Sequence, residues 1–105
     1  MAVIRYGQDH WNAERIEAEI SQVAEWAHQR GVPVVCNEFG AYRAYSDPHD
    51  REAWIHDVRT SLEHHSIGWT MWDYSGSFGV VIKKDGNAVP DKGTLQALGL
   101  IGLRK

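Results

Sequence analysis

Val32-Pro33-Val34-Val35-Cys36-Asn37-Glu38-Phe39-Gly40 is a short apolar run that ends on one carboxylate, an aromatic ring and a glycine. Its β-branched residues and the absence of polar alternation predict a strand covered on both faces, as in a parallel sheet. A buried strand that delivers a single acid to its C-terminal end is how a parallel α/β barrel places a catalytic group.

The segments on either side fit a parallel α/β arrangement. Upstream, Ile16, Ile20, Val23 and Ala27 recur at spacings of four, three and four, which predicts an amphipathic helix from Asn12 to Arg30. Asn12 is placed to cap it, and Gly31 to stop it. Downstream, Pro48 is suited to a first helical position, and Trp54 or Ile55, Val58 and Leu62 form the stripe of a second helix running to His64 and His65. Ile67 to Tyr74 then predicts a second strand, with Ile67, Trp69 and Met71 on one side and Gly68, Thr70 and Trp72 on the other, both sides buried. Beyond a turn-rich loop at Ser75–Gly79, Val80–Lys83 and Ala88–Pro90 flank a hairpin turn at Asp85-Gly86-Asn87. A short helix over Gly93–Leu100 closes the chain, with Leu95, Leu98 and Leu100 facing inward. Helix, strand, helix, strand, helix is an α/β order that suits right-handed crossovers between parallel strands.

At 105 residues the chain has room for one core. It is too short for an eight-stranded α/β barrel of about 250 residues. Residues 1–105 therefore read as one domain or one part of a domain. A net charge of -3 gives no electrostatic reason to expect nucleic acid. No apolar stretch reaches the roughly 18 residues of a membrane span, and Met1 to Tyr6 lacks the layout of a signal peptide. The expectation is a chain with no membrane partner and no address. Cys36 is the only cysteine, so no internal disulfide forms, and its apolar setting suggests a small buried hydrophobe. Five Trp and four Tyr exceed what a small core needs, which points some rings toward a ligand or another protein.

Glu38 and Trp72 fall at the C-terminal ends of the two predicted strands. An acid beside an aromatic ring is a sugar-site combination, because a pyranose stacks its C–H face on tryptophan while carboxylates act at the anomeric carbon. The plainer alternatives are a strand-end carboxylate in a salt bridge and a core aromatic. His49, His56, His64 and His65 contain no HxxxH pair and have no cysteine partners, so no metal site is expected and these histidines read as solvated helix-face residues. No cofactor motif, GxGxxG or P-loop, is present. His10-Trp11 could line the same cleft as Glu38.

Pro33-Val34-Val35-Cys36-Asn37-Glu38-Phe39-Gly40-Ala41-Tyr42-Arg43, Asp50-Arg51 opening a helix, and Gly68-Trp69-Thr70-Met71-Trp72-Asp73-Tyr74 with Phe78-Gly79-Val80 together resemble the end of a glycoside hydrolase family 5 cellulase. The likeness runs from about Trp11 to Leu100. It implies the C-terminal part of a (β/α)8 TIM barrel, roughly its last two strands and flanking helices, incomplete as a barrel in one chain. By the resemblance, Glu38 matches the nucleophile of the seventh strand and Trp72 the stacking tryptophan of the eighth. Tyr42 and Trp69 are further substrate-binding candidates. The implied partner is a β-glucan oligosaccharide or polysaccharide, with mannan or xylan as alternatives, and the family is commonly secreted.

The family's second glutamate lies on the fourth strand, and no such segment occurs here. A retaining glycosidase needs two carboxyl groups about 5 to 5.5 Å apart. Asp73 would point away from Trp72 on a regular strand, and Asp47 and Asp50 suit the start of the next helix. The expectation is a fragment of a retaining endo-β-1,4-glucanase, inactive alone and prone to self-association through its open strand edges. A non-catalytic sugar-binding module derived from such a barrel is the alternative, and a small hydrolase assembled from several copies is a third reading.

Overall fold

The computed structural model describes residues 12–101. The chain folds in the order α1 (Ala13–Arg30), β1 (Val35–Phe39), α2 (Pro48–His64), β2 (Gly68–Met71), β3 (Val81–Lys84), β4 (Asn87–Pro90) and α3 (Lys92–Ala97). His10 and Trp11 lie outside the described residues.

Helix α1 starts where Asn12, in extended conformation, accepts a hydrogen bond from the Arg15 N–H at 3.0 Å. It ends where Gly31 takes the left-handed conformation, φ 63°, which glycine adopts without a Cβ penalty. Ile16 and Ala27 are buried and Ile20 packs against the core, but Val23 is 46% exposed. The buried stripe is therefore narrower than the four-residue pattern predicted. Strand β1 begins at Val35, three residues later than expected. Pro33 has no N–H for a ladder, and the Val32 N–H is engaged by the Ala27 carbonyl at the end of α1.

β1 and β2 pair in parallel, Val35 opposite Gly68, Cys36 opposite Trp69, and then Phe39 opposite Met71. Three steps on β1 thus match two on β2, so β1 carries one extra residue at Asn37–Glu38. Cys36, Phe39, Trp69 and Met71 turn toward the helices and join a core built on Ile16, Ile55, Val58, Leu62, Ile67 and Leu98. The other side of the sheet holds Val35, 68% exposed, with Gly68, Thr70 and Trp72 also exposed. Coverage on both faces is therefore corrected: the helices of this chain pack on one face, and the second would need further strands of a barrel.

In α2, Asp47 caps the first turn by accepting from the N–H groups of His49 and Asp50, at 2.9 and 3.1 Å, and Pro48 occupies the turn it was expected to occupy. Ile55, Val58 and Leu62 are buried as the stripe predicts. β3 and β4 form an antiparallel hairpin closed at Asp85-Gly86, both with positive φ as a two-residue hairpin turn requires. In α3, Leu98 is buried but Leu100 is 61% exposed, because the helix stops at Ala97 and Gly99 turns the chain at φ 74°. Among the described residues, no helix is long and apolar enough to cross a membrane.

Candidate active site

The C-terminal ends of β1 and β2 are joined by the backbone beyond the regular ladder. The Trp72 N–H donates to the Phe39 carbonyl at 2.7 Å, which sets Trp72 beside the residue that follows Glu38. Gly40 is fitted to this contact, since a Cβ there would lie 2.2 Å from the Trp72 carbonyl oxygen. The glycine of Glu38-Phe39-Gly40 is thus explained by the close approach of two backbones. The Trp72–Asp73 peptide is cis.

The extra residue in β1 decides where Glu38 points. On an unbroken strand Glu38 would share a face with Cys36, toward the helices. The bulge turns Phe39 to that face instead and leaves Glu38 exposed, and Trp72 at the same end of the sheet is 50% exposed. Acid and indole therefore stand, both exposed, at one end of the sheet.

The other two candidates fall differently. The Tyr42 ring packs on Phe78, centroids 5.4 Å apart, and is half-buried at the rim of the same end. Trp69 lies on the helix side of β2. Its ring meets Phe39 edge-on at 5.6 Å and its Nε1–H donates to Glu63 of α2 at 3.1 Å. The fold sets Glu38 and Trp72 at the same end of the sheet, keeps Tyr42 near the loop, and commits Trp69 to packing.

Beneath the loops is a polar cluster whose geometry the sequence did not disclose. Arg51, 3% exposed, donates from Nε to the Ala41 carbonyl at 2.9 Å, from Nη1 to Thr94 Oγ1 at 2.5 Å, and from Nη2 to the Phe78 carbonyl at 3.2 Å. Arg43 donates to the Gly79 carbonyl at 2.6 Å and to Asp91 Oδ2 at 2.9 Å. Asp91 also caps α3 and accepts from Thr94 Oγ1 at 2.7 Å. Burial raises the Asp91 pKa, but hydrogen bonds from Thr94 and Arg43 outweigh that and hold it below the usual carboxylate value. Burial, followed by the neighbouring Arg43 charge, lowers that of Arg51. The cluster ties the segments after β1 and β2 to α2 and α3, so it holds the platform on which Glu38 and Trp72 stand. The signal available in the sequence was an arginine in the first turn of the helix after the Glu-Phe-Gly strand.

The acids on the loops have other work. Asp47 caps α2, Asp91 serves the arginines, and Asp73 accepts the Gly76 N–H at 3.0 Å. Away from this end, Glu17, His64 and His65 bring one ligand atom each within 4.8 Å of one another. The expectation of no metal site rested on helical spacing and the lack of cysteine partners, and this convergence of two histidines with a glutamate from another helix is one that spacing could not show. Ser61, followed by His65, holds the Glu17 carboxyl below its ordinary pKa through hydrogen bonds.

The parallel strand pair, clothed by helices on one face, is a part of a (β/α)8 barrel that is not closed within this chain. The chain belongs to the cellulase family, glycosyl hydrolase family 5, whose pattern matches residues 5–77. Among its relatives is Endoglucanase 3 of Fibrobacter succinogenes, 35% identical over 68 residues, which are 65% of this chain and 10% of that protein. A hyperthermophilic endo-β-1,4-glucanase solved with substrate superposes with a TM-score of 0.73 at 30% identity, covering 86% of this chain and 28% of that one. Thermotoga maritima Cel5A solved with cellobiose gives a TM-score of 0.74 at 27% identity, with 82% and 27% covered, and the same enzyme has been solved with mannotriose. The chain thus spans a tenth of that curated relative and little more than a quarter of these two solved enzymes.

Proposed function

We propose that this chain is the nucleophile-bearing portion of a retaining endo-β-1,4-glucanase, with the acid/base half of the catalytic site carried on strands it does not contain. The observation that carries the reading is the placement of Glu38 in the C-terminal end of β1 and of Trp72 just beyond the end of its parallel partner β2, where the Trp72 N–H donates to the Phe39 carbonyl. In the complete reaction the Glu38 carboxylate attacks the anomeric carbon while a glutamate on another strand protonates the departing sugar oxygen. Water activated by that second glutamate then breaks the Glu38–glycosyl ester and returns both carboxyls to their starting states. Trp72 offers its indole face to the sugar ring beside the cleaved bond.

Alone, the chain binds glucan weakly and does not hydrolyse it, because the described loop acids Asp47, Asp73 and Asp91 are engaged in a helix cap, a turn and an arginine pair rather than in leaving-group protonation. Relatives solved with cellobiose and mannotriose support a β-1,4-linked ligand of the glucan or mannan type. The open sheet face and strand edges also support self-association.

Titration of the chain with cellohexaose, followed by tryptophan fluorescence, tests the reading. A saturable change that Trp72→Ala abolishes is the expected outcome, with no reducing-sugar release above blank. Absence of any saturable change sinks the sugar platform. Reducing-sugar release that Glu38→Gln removes would replace the inactive portion with a hydrolase assembled from several copies.

A further inference from the structure

We propose that Glu17, His64 and His65 form a zinc-type metal site that ties α1 to the end of α2, separate from the sugar platform. Two imidazole nitrogens and one carboxylate oxygen are the donor set that borderline divalent ions such as Zn²⁺ take, and one that Ca²⁺ and Mg²⁺, which prefer oxygen, do not.

The geometry already converges. The three ligand atoms lie within 4.8 Å of one another, and the His65 Nε2 to Glu17 Oε2 separation is 2.5 Å. Metal–ligand lengths of about 2.0–2.2 Å in a tetrahedron place ligand atoms roughly 3.3 Å apart. Glu17 and His65 must therefore open slightly and His64 close slightly. His64 is exposed, so its ring turns without disturbing the core. The two imidazoles stand nearly perpendicular, 79° between planes with centroids 5.0 Å apart, so their nitrogens can approach one point without the rings stacking. The proton shared by His65 Nε2 and Glu17 Oε2 leaves as the ion takes its place.

An outer partner is present as well. Ser61 Oγ donates to Glu17 Oε1 at 2.6 Å, which fixes the carboxylate and leaves Oε2 for the ion. Consecutive residues on a helix point about 100° apart and would not share a ligand. Here α2 ends at His64, His65 is the cap with φ −96° and ψ 12°, and Ser66 turns to φ 57°. Leaving the helix is what swings the second imidazole toward the first. With three protein ligands, a fourth position stays open to water.

Titrating zinc chloride into the metal-stripped 105-residue chain by calorimetry, at neutral pH in a non-coordinating buffer, tests the site. Saturable one-to-one binding is expected, accompanied by a rise in thermal midpoint, since an ion bound only by the folded chain stabilises it. His64→Ala and Glu17→Gln each weaken binding by at least about tenfold, while His56→Ala, on the exposed side of α2, leaves it unchanged. Because His64 is exposed, its variant keeps the native far-UV spectrum and serves if Glu17→Gln loosens the helix pair. No saturable binding overturns the site, and so does binding that both variants retain at wild-type strength.

Discussion

At the residue scale, the platform depends on charges held where water is scarce. Arg51 is nearly fully buried, and its guanidinium satisfies backbone carbonyls from two different loops, which a shorter or neutral side chain could not reach together. Asp91 is its counter-charge at 3.6 Å and that of Arg43 at 2.9 Å. Because the Asp91 carboxyl is held below its unfolded value, the stability it contributes is fully present above the unfolded pKa, near pH 4, and lost as pH falls through the lower folded value. The difference in urea midpoint between the wild-type chain and Asp91→Asn should therefore be constant near neutrality and close in the acid range below about pH 4. A difference that stays the same down to pH 2.5 or so would sink this account.

At the scale of elements, the decisive contact is between the ends of β1 and β2. Gly40 allows the two backbones to approach, and the bulge at Asn37–Glu38 releases the acid from the helix face. Gly40→Ala places a methyl against a backbone carbonyl that cannot swing aside as a side chain can. The expected cost is about 1–3 kcal/mol in urea unfolding, together with loss of the cellohexaose fluorescence change. A variant as stable as the wild type with an unaltered titration would show that the strand ends are not held this closely. The starts of α1 and α2 and the hairpin turn were legible in the sequence, because Asn12, Asp47 and Asp85-Gly86 act on neighbours within a few residues. The bulge was not, since it is defined by register against a strand some thirty residues away.

For the whole molecule, the central fact is a sheet with one clothed face. α1 and α2 cover the side of Cys36, Phe39, Trp69 and Met71, while Val35, Gly68 and Thr70 face outward, and each strand of the pair has an unpaired edge among the described residues. In a closed barrel that outward face is the packed interior. An apolar face and open edges favour contact with a second copy. Light scattering and sedimentation should show association that increases with protein concentration and is reduced by Val35→Lys, which sets a charge on the open face. A monomer that persists at high concentration, with or without the substitution, would count against it.

The sequence by itself determined the helices, the order of the strands, the candidate acid and indole, and membership of a known barrel family, because caps, stripes and strand-end motifs are local patterns. Only the tertiary structure decided which face of each strand is covered, that Trp69 packs on Phe39 while Trp72 stays open, that Arg51 is buried, and that Glu17 meets His64 and His65. Each of these depends on registers and distances between segments far apart in the chain. The run from Val32 to Gly40 shows both sides of this division. Its composition announced a strand bearing an acid, and its pairing with β2, through one extra residue, decided where that acid points.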